Sequence, residues 1–66
     1  MQIEIINLSE IHTLAKVTTR QGYVYACTYA PSDEYERPTE EHIRRDWRAS
    51  RRSFRPYDES TGRYLA

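Results

Sequence analysis

Six arginines lie within twelve residues in the second half of the chain, and their chemistry suits the recognition of anions. They are Arg44, Arg45, Arg48, Arg51, Arg52 and Arg55. On a helix of about 100° per residue, positions 44, 48, 51 and 55 fall in one narrow stripe, which the other two widen. A guanidinium group is planar and carries five N–H donors, so it binds carboxylates and phosphates in a two-pronged geometry. The spacing predicts a ridge of cations on one side of a helix.

Two acidic residues limit how many of these arginines are available to a partner. Glu40 and Glu41 stand four residues before the first two arginines, a spacing that favours ion pairs on a helix. An alternative is that the whole run simply solvates the helix and pairs locally, as charge runs commonly do. The candidate partner-binding residues of this segment are Arg48, Arg51, Arg52 and Arg55, with Arg44 beside them.

Tyrosines and cations form a second candidate surface. If the dipeptide at 21–22 makes a two-residue hairpin turn, alternation in the flanking strands places three tyrosines and two cations on one exposed face. Aromatic rings among cations can stack on bases or anchor a protein interface. A slip of one residue in the turn between the first two strands would set Ile3 and Ile5 beside the tyrosines, and the tyrosine face would then be the core. The candidate residues are Tyr23, Tyr25, Tyr29, Lys16 and Arg20.

Catalytic and metal-binding chemistry has little support in the sequence. The single cysteine, Cys27, and the histidines His12 and His42 are fifteen residues apart and lack the spacing of a zinc site. The two histidines could exchange protons in a metal-free nuclease, but no spacing demands it. We therefore expect a protein that is not an enzyme, without cofactor or metal, and keep the nuclease as a third hypothesis.

These residues need a scaffold, and the pattern predicts an α+β fold. It consists of a three-stranded antiparallel meander followed by one C-terminal α-helix and a short tail. Gly22 favours a hairpin, Pro31 ends the third strand, and Thr39 is suited to capping the helix. An alternative for the second strand is a short helix capped by Ser9. The predicted bounds are strands at 2–7, 11–20 and 23–30, an acidic connector at 31–38, a helix at 39–54 and a tail at 56–66.

Charge is distributed unevenly along the chain. Residues 1–36 hold two basic and five acidic residues, net −3, whereas residues 37–66 hold eight arginines and five acidic residues, net +3. The acidic connector contains Asp33, Glu34 and Glu36, which could dock on a basic partner, although an ordinary solvated loop is the favoured interpretation. The total of zero disfavours a polycation drawn only to phosphate.

Length and composition indicate a single small domain that binds rather than catalyses. With 66 residues there is room for one domain, and one cysteine excludes an intrachain disulfide. The start of the chain lacks the pattern of a signal peptide, so we expect a cytoplasmic protein. The leading hypothesis is a stand-alone protein–protein interaction module, inhibitor or adaptor. A nucleic-acid-binding module is the alternative, and a homodimer and an origin in a phage or mobile element are further hypotheses; no membrane association is expected.

Overall fold

The computed structural model describes residues 1–31 and 37–65. In this part of the chain an antiparallel sheet carries one helix, so the fold is mixed α+β. No helix in these two ranges is long and apolar enough to cross a membrane. The elements are β1 (Gln2–Asn7), β2 (Thr13–Thr18), β3 (Val24–Tyr29), α1 (Glu40–Arg48), β4 (Arg55–Asp58) and β5 (Arg63–Tyr64).

The sheet follows the order of the chain, β1 to β5, with antiparallel neighbours. The first three strands confirm the predicted meander. The predicted short tail is instead a second hairpin, which turns where Gly62 N donates to Asp58 O at 2.8 Å. Gly62 has a φ of 70°, a conformation that glycine adopts without the strain of a side chain. The sheet therefore has five strands rather than three.

The turn between β2 and β3 differs from the predicted two-residue turn. Thr19 N donates to Tyr23 O at 2.8 Å, which leaves three residues in the loop, the last of them Gly22 with a φ of 91°. A three-residue hairpin of this kind needs a left-handed residue at its end, and glycine supplies it. The register is shifted by one residue, so Val17, rather than Thr18, pairs with Tyr25. Every side chain of β3 consequently faces the opposite side of the sheet from the prediction.

Helix α1 packs on one side of the sheet, which we call the helix face. Ile43 and Trp47 contact this face, and Phe54 joins them from the segment after the helix. Trp47 lies between Tyr25 and Phe54, with ring centroids 5.3 Å away on both sides. The apolar core therefore consists of this aromatic row and the small strand residues beneath it. The strand residues of the helix face that contribute to this core are Ile3, Ala15, Val17, Tyr25, Cys27 and Tyr29.

The second hairpin covers part of the opposite side of the sheet, which we call the hairpin face. Glu59 contacts Lys16 of β2, and Tyr64 contacts Thr28 of β3. These contacts reach over two neighbouring strands, so β4 and β5 bend across the sheet rather than merely extending it. Ala26 is buried beneath them.

Helix α1 begins where the sequence predicts. Thr39 Oγ1 accepts from His42 N at 3.2 Å, while His42 Nδ1 accepts from Thr39 N at 3.1 Å. This reciprocal capping box satisfies two backbone donors that a helix N-terminus otherwise leaves open. Glu40 and Glu41 lie in the first turn, where the helix dipole favours negative charge. The prediction of Thr39 as the N-cap is confirmed.

The helix ends at Arg48, whereas the sequence pattern predicts an end at Phe54; that prediction is wrong. Ser50 has a φ of 52°, and it is the one non-glycine residue with positive φ in the described ranges. Arg51 N donates to Asp46 O at 3.0 Å and Ser50 N donates to Trp47 O at 3.3 Å. This pair of bonds is a Schellman motif, which closes the last carbonyls and reverses the chain. The residues after Ser50 therefore leave the helix axis.

We expect Ser50→Gly to stabilise the fold by about 1 kcal/mol. A left-handed conformation costs an L-residue about 1–2 kcal/mol, which exceeds the roughly 0.5–1 kcal/mol of extra chain entropy that glycine loses on folding. The urea midpoint should rise without a change in the slope of the transition. Ser53→Gly is the matched control, because Ser53 is not among the positive-φ residues and should gain nothing. Equal midpoints for Ser50→Gly and the parent would contradict the strain argument.

Candidate anion-binding cleft

Three of the predicted arginines line one open cleft beside the end of the sheet. The cleft measures about 450 Å³, and most of its lining side chains can donate hydrogen bonds. The reversal of the chain at Ser50 carries the segment 51–55 back along β3, so the arginines reach the cleft from a loop and from β4. The lining residues are Cys27, Thr28, Arg51, Arg52, Ser53, Arg55 and Tyr64.

Arg52 is held in a fixed orientation by β3. Its guanidinium carbon lies 3.9 Å from the centroid of the Tyr29 ring, and its Nη2 donates to Thr28 O at 2.7 Å. Stacking on an aromatic face and a bond to a carbonyl together restrict the rotamers of this long side chain. Arg52 is therefore ordered before any ligand arrives.

Arg55 and Tyr64 form the other side of the cleft. The guanidinium carbon of Arg55 lies 5.0 Å from the centroid of the Tyr64 ring. The Tyr64 hydroxyl is 3.3 Å from Thr28 Oγ1, and the Tyr64 ring also contacts Tyr57 edge-on at 5.6 Å between centroids. The second hairpin thus positions both a cation and a hydroxyl at the cleft.

Arg51 approaches a buried acid behind the cleft. Its Nε lies 3.9 Å from Oδ1 of Asp46, which is only 3% exposed. Oδ2 of the same carboxylate accepts from the Tyr29 hydroxyl at 2.7 Å. Burial, and next the bond to Asp46, raise the pKa of Tyr29 far above its ordinary value. The lining of the cleft itself contains three guanidinium groups and no carboxylate.

The predicted helical ridge is divided, because the helix ends at Arg48 and leaves Arg51 and Arg55 outside it. Arg44 and Arg48 remain on α1, where Arg44 Nη2 lies 3.0 Å from Glu40 Oε1 and Arg48 is exposed in the last turn. The contact between Arg44 and Glu40 confirms the predicted i,i+4 ion pair. Neither residue lines the cleft with the other three.

The predicted tyrosine face is also different. Tyr29 is 1% exposed and belongs to the core, whereas Tyr25 is half-buried and packs on Trp47. Lys16 lies on the opposite side of the sheet, held by Glu4 and Glu59. Of the five residues assigned to this surface, Tyr23 (65% exposed) and Arg20 stay outside, together in the β2–β3 turn. The three tyrosines and two cations of the prediction therefore do not share one exposed face.

The histidines and the cysteine have local roles. His12 Nδ1 is 3.4 Å from Ser9 Oγ in the turn before β2, and Ser9 closes this turn instead of capping a helix. His42 forms the capping box of α1. Burial raises the pKa of the Cys27 thiol more than the neighbouring Arg52 lowers it, so the reactive thiolate is disfavoured at neutral pH.

A metal site and the acidic connector are the two remaining candidates from the sequence. Within residues 1–31 and 37–65, no group of three or more His, Cys, Asp or Glu side chains is arranged to hold a metal ion. The acidic residues of the connector, Asp33, Glu34 and Glu36, lie outside the described residues.

The residues that organise the cleft have only weak signals in the sequence. Asp46 looks like an ordinary helical charge, but it lies on the same helical side as Ile43, three residues earlier, and this spacing is a signal of burial. Tyr64 falls in the predicted tail, to which the sequence assigns no binding role. Its contact with Thr28, 36 positions away, carries no local signal in the sequence.

The described residues form a small α+β domain with one open cleft lined by three arginines. No protein-family model, curated protein sequence or solved structure matches the chain.

Proposed function

We propose that this chain is a small non-enzymatic binding domain whose cleft takes an acidic group of a partner protein. The observation that carries the proposal is the convergence of Arg51, Arg52 and Arg55 on one open cleft. Three fork-shaped donors beside hydroxyl groups match a carboxylate, either an Asp or Glu side chain or a chain terminus. An inhibitor or adaptor needs no more than such an anchor and its surroundings.

Preorganisation supports this role. Arg52 and Arg55 rest on tyrosine rings, so an incoming carboxylate does not have to immobilise two flexible side chains. Restricting a rotamer-rich side chain costs about 0.5–1.5 kcal/mol on binding, and here the fold has already ordered it. Arginine and tyrosine are also the residue types that dominate binding energy at protein interfaces.

A protein partner fits the described surface better than a nucleic acid. The bases of a single strand stack on exposed aromatic rings, and of the three tyrosines predicted to form such a face, Tyr29 is buried and Tyr25 packs on Trp47. The chain has no net charge, whereas dedicated nucleic-acid binders are commonly basic. A phosphate group could still enter the same cleft, so the experiment must distinguish a protein partner from a nucleic acid.

Charge reversal in the cleft tests the proposal. We expect Arg51→Glu with Arg55→Glu to weaken partner binding by about a hundredfold, because each charge-assisted hydrogen bond contributes about 1.5–3 kcal/mol. The tagged chain is used to capture its partner from lysate, and the affinity for the purified partner is then measured. Arg20→Glu with Arg48→Glu is the matched control: it changes the charge equally at two exposed positions outside the cleft.

The outcomes separate the alternatives. Capture that persists after nuclease treatment, with loss in the cleft variant alone, supports a protein partner. Capture abolished by nuclease, with an affinity that falls steeply as salt is added, would favour nucleic acid. If the cleft variant bound the partner as tightly as the parent, the cleft would not be the binding site. Loss of binding in the control variant would instead place the contact at Arg20 in the β2–β3 turn and Arg48 on α1.

A further inference from the structure

Strand β1 forms one end of the sheet and has a partner on one side only. Its six residues pair with β2, and no described residue pairs with its outer side. A strand in this position presents a row of backbone N–H and C=O groups that can accept another strand. The opposite end of the sheet is β5, which has two residues. The two ends are therefore unequal in their capacity to pair.

The hydrogen-bond pattern identifies which residues of β1 face outward. Leu8 N donates to His12 O at 2.9 Å, and bonded and non-bonded pairs alternate along an antiparallel ladder. The even-numbered residues of β1 consequently bond to β2. The odd-numbered residues, Ile3, Ile5 and Asn7, direct their backbone groups toward the open side.

Strand β1 lacks most of the sequence features that usually prevent strands from joining. Its sequence contains no proline and no lysine, and its register with β2 runs from Gln2 to Asn7 without a bulge. The one charged side chain is Glu4, which Lys16 Nζ neutralises at 3.1 Å. Ile5 remains 39% exposed at the middle of the strand. An apolar residue at the centre of an unprotected edge is typical of a pairing site.

We propose that two copies of this chain join through β1, antiparallel, with Ile5 on the twofold axis. Since opposite residues in a ladder share one side of the sheet, the Ile5 side chains of both copies then meet on the helix face. Ile3 of each copy pairs with Asn7 of the other, and the outward backbone groups of all three residues form hydrogen bonds. The two sheets become one continuous sheet.

Charge and symmetry favour a second copy in this register. Shifting the axis to Glu4 would set two carboxylates directly opposite each other, whereas an axis at Ile5 places Glu4 opposite Ile6. Pairing β1 with β5 of another copy would match six residues with two and would leave open ends that propagate. A twofold β1 pair matches equal lengths and closes the assembly.

Sedimentation equilibrium of the whole chain, up to millimolar concentration, tests the proposal. We expect the parent to reach twice its mass of 7.9 kDa. Ile5→Lys should weaken the dimer about tenfold or more, because two like charges would oppose each other at the axis. Ile5 is partly exposed, so the variant should keep the circular dichroism of the parent. Leu65→Lys, at an exposed position near the other end of the sheet, is the control and should remain a dimer.

Amide hydrogen exchange locates the interface independently. The amides of Ile3, Ile5 and Asn7 should exchange slowly in the dimer and quickly after dilution to the monomer. A monomeric parent at all concentrations would overturn the proposal, even if the edge proved to accept an extended segment of another protein. A dimer in which these three amides exchange freely, or one that Ile5→Lys leaves intact, would overturn it as well.

Discussion

Tyr29→Ala is expected to leave most of the protein unfolded at 25 °C. Tyr29 is 1% exposed, and truncating a buried aromatic residue to alanine costs about 3–5 kcal/mol. The change also removes the hydroxyl that donates to the buried Asp46, and an unsatisfied buried polar group costs about 1–3 kcal/mol more. A chain of 66 residues has a total stability of about 3–10 kcal/mol. The predicted loss is therefore comparable with the whole stability of the fold.

Urea titration followed by circular dichroism measures this effect. Tyr23→Ala is the matched control, because the same side chain is 65% exposed there and should change the stability by no more than about 0.5 kcal/mol. A cooperative transition of Tyr29→Ala within about 1 kcal/mol of the parent would mean that the core is not built around this ring.

Tyr29→Phe distinguishes the contribution of the hydroxyl to stability from that of the ring. The ring and its contact with Arg52 remain, so the cost should fall to about 1–3 kcal/mol, the penalty of one lost buried donor. The raised pKa of Tyr29 means that the folded state holds its proton when the unfolded state begins to lose it. The parent should consequently lose stability as the pH rises above the ordinary value of 10.0, and Tyr29→Phe should lose less over that interval.

The start of the helix could be predicted from the sequence, and its end could not. Thr39 with two acidic residues after it is a local signal, and the capping box uses only residues 39 to 42. The end depends on a Schellman motif, for which glycine or asparagine is the usual signal, and Ser50 gives none. The helical spacing of Ile43, Trp47 and Phe54 continues past this point, although Phe54 reaches the same core from a loop.

The position of the tyrosines depended on one residue in one turn. Gly22 predicts a hairpin correctly, but glycine is compatible with both a two-residue turn and a three-residue turn. The three-residue turn places Tyr25 and Tyr29 beside Val17 on the helix face. Local propensity does not distinguish the two turns. The burial of large rings under the helix favours the observed one, and this is a property of the whole fold.

The chemistry of the arginines was predictable, whereas their arrangement was not. Arg51, Arg52 and Arg55 were expected to face a partner from a helix, and they converge instead because the chain reverses at Ser50. Their supports, Tyr29 and Tyr64, come from strands far away in the sequence. Long-range contacts of this kind follow from the register of the sheet, which a one-residue change in a turn shifts as a whole.

Lys16→Glu is expected to destabilise the fold by about 3 kcal/mol, the lower end of the range for an uncompensated buried charge. Lys16 is 8% exposed, and its Nζ lies 3.1 Å from Glu4 Oε1 and 2.5 Å from Glu59 Oε2. The replacement would put a third carboxylate between two others. We choose the lower end because both glutamates are at least half exposed and can turn toward water.

Lys16→Met distinguishes the charge from the packing of the side chain. The aliphatic stem of Lys16 covers apolar surface, and methionine keeps this volume while both glutamates regain water. We expect Lys16→Met to lie within about 1 kcal/mol of the parent in urea titrations, since replacing an ion pair by apolar groups is often neutral. Similar losses in Lys16→Met and Lys16→Glu would show that the ion pairs themselves stabilise the second hairpin.

The pH dependence of the parent gives a further test of the Lys16 ion pairs. The hydrogen bond to Glu59, together with Glu4, raises the pKa of Lys16 despite the opposing effect of burial. A raised lysine pKa contributes stability that is complete below the ordinary value of 10.5 and declines as the pH rises through the folded value. Lys16→Met should therefore show a shallower alkaline decline than the parent. If the stabilities of the parent and of Lys16→Met declined in parallel above pH 10.5, the ammonium group would lie in water, away from both carboxylates. The second hairpin would then be held to the sheet by its tyrosines.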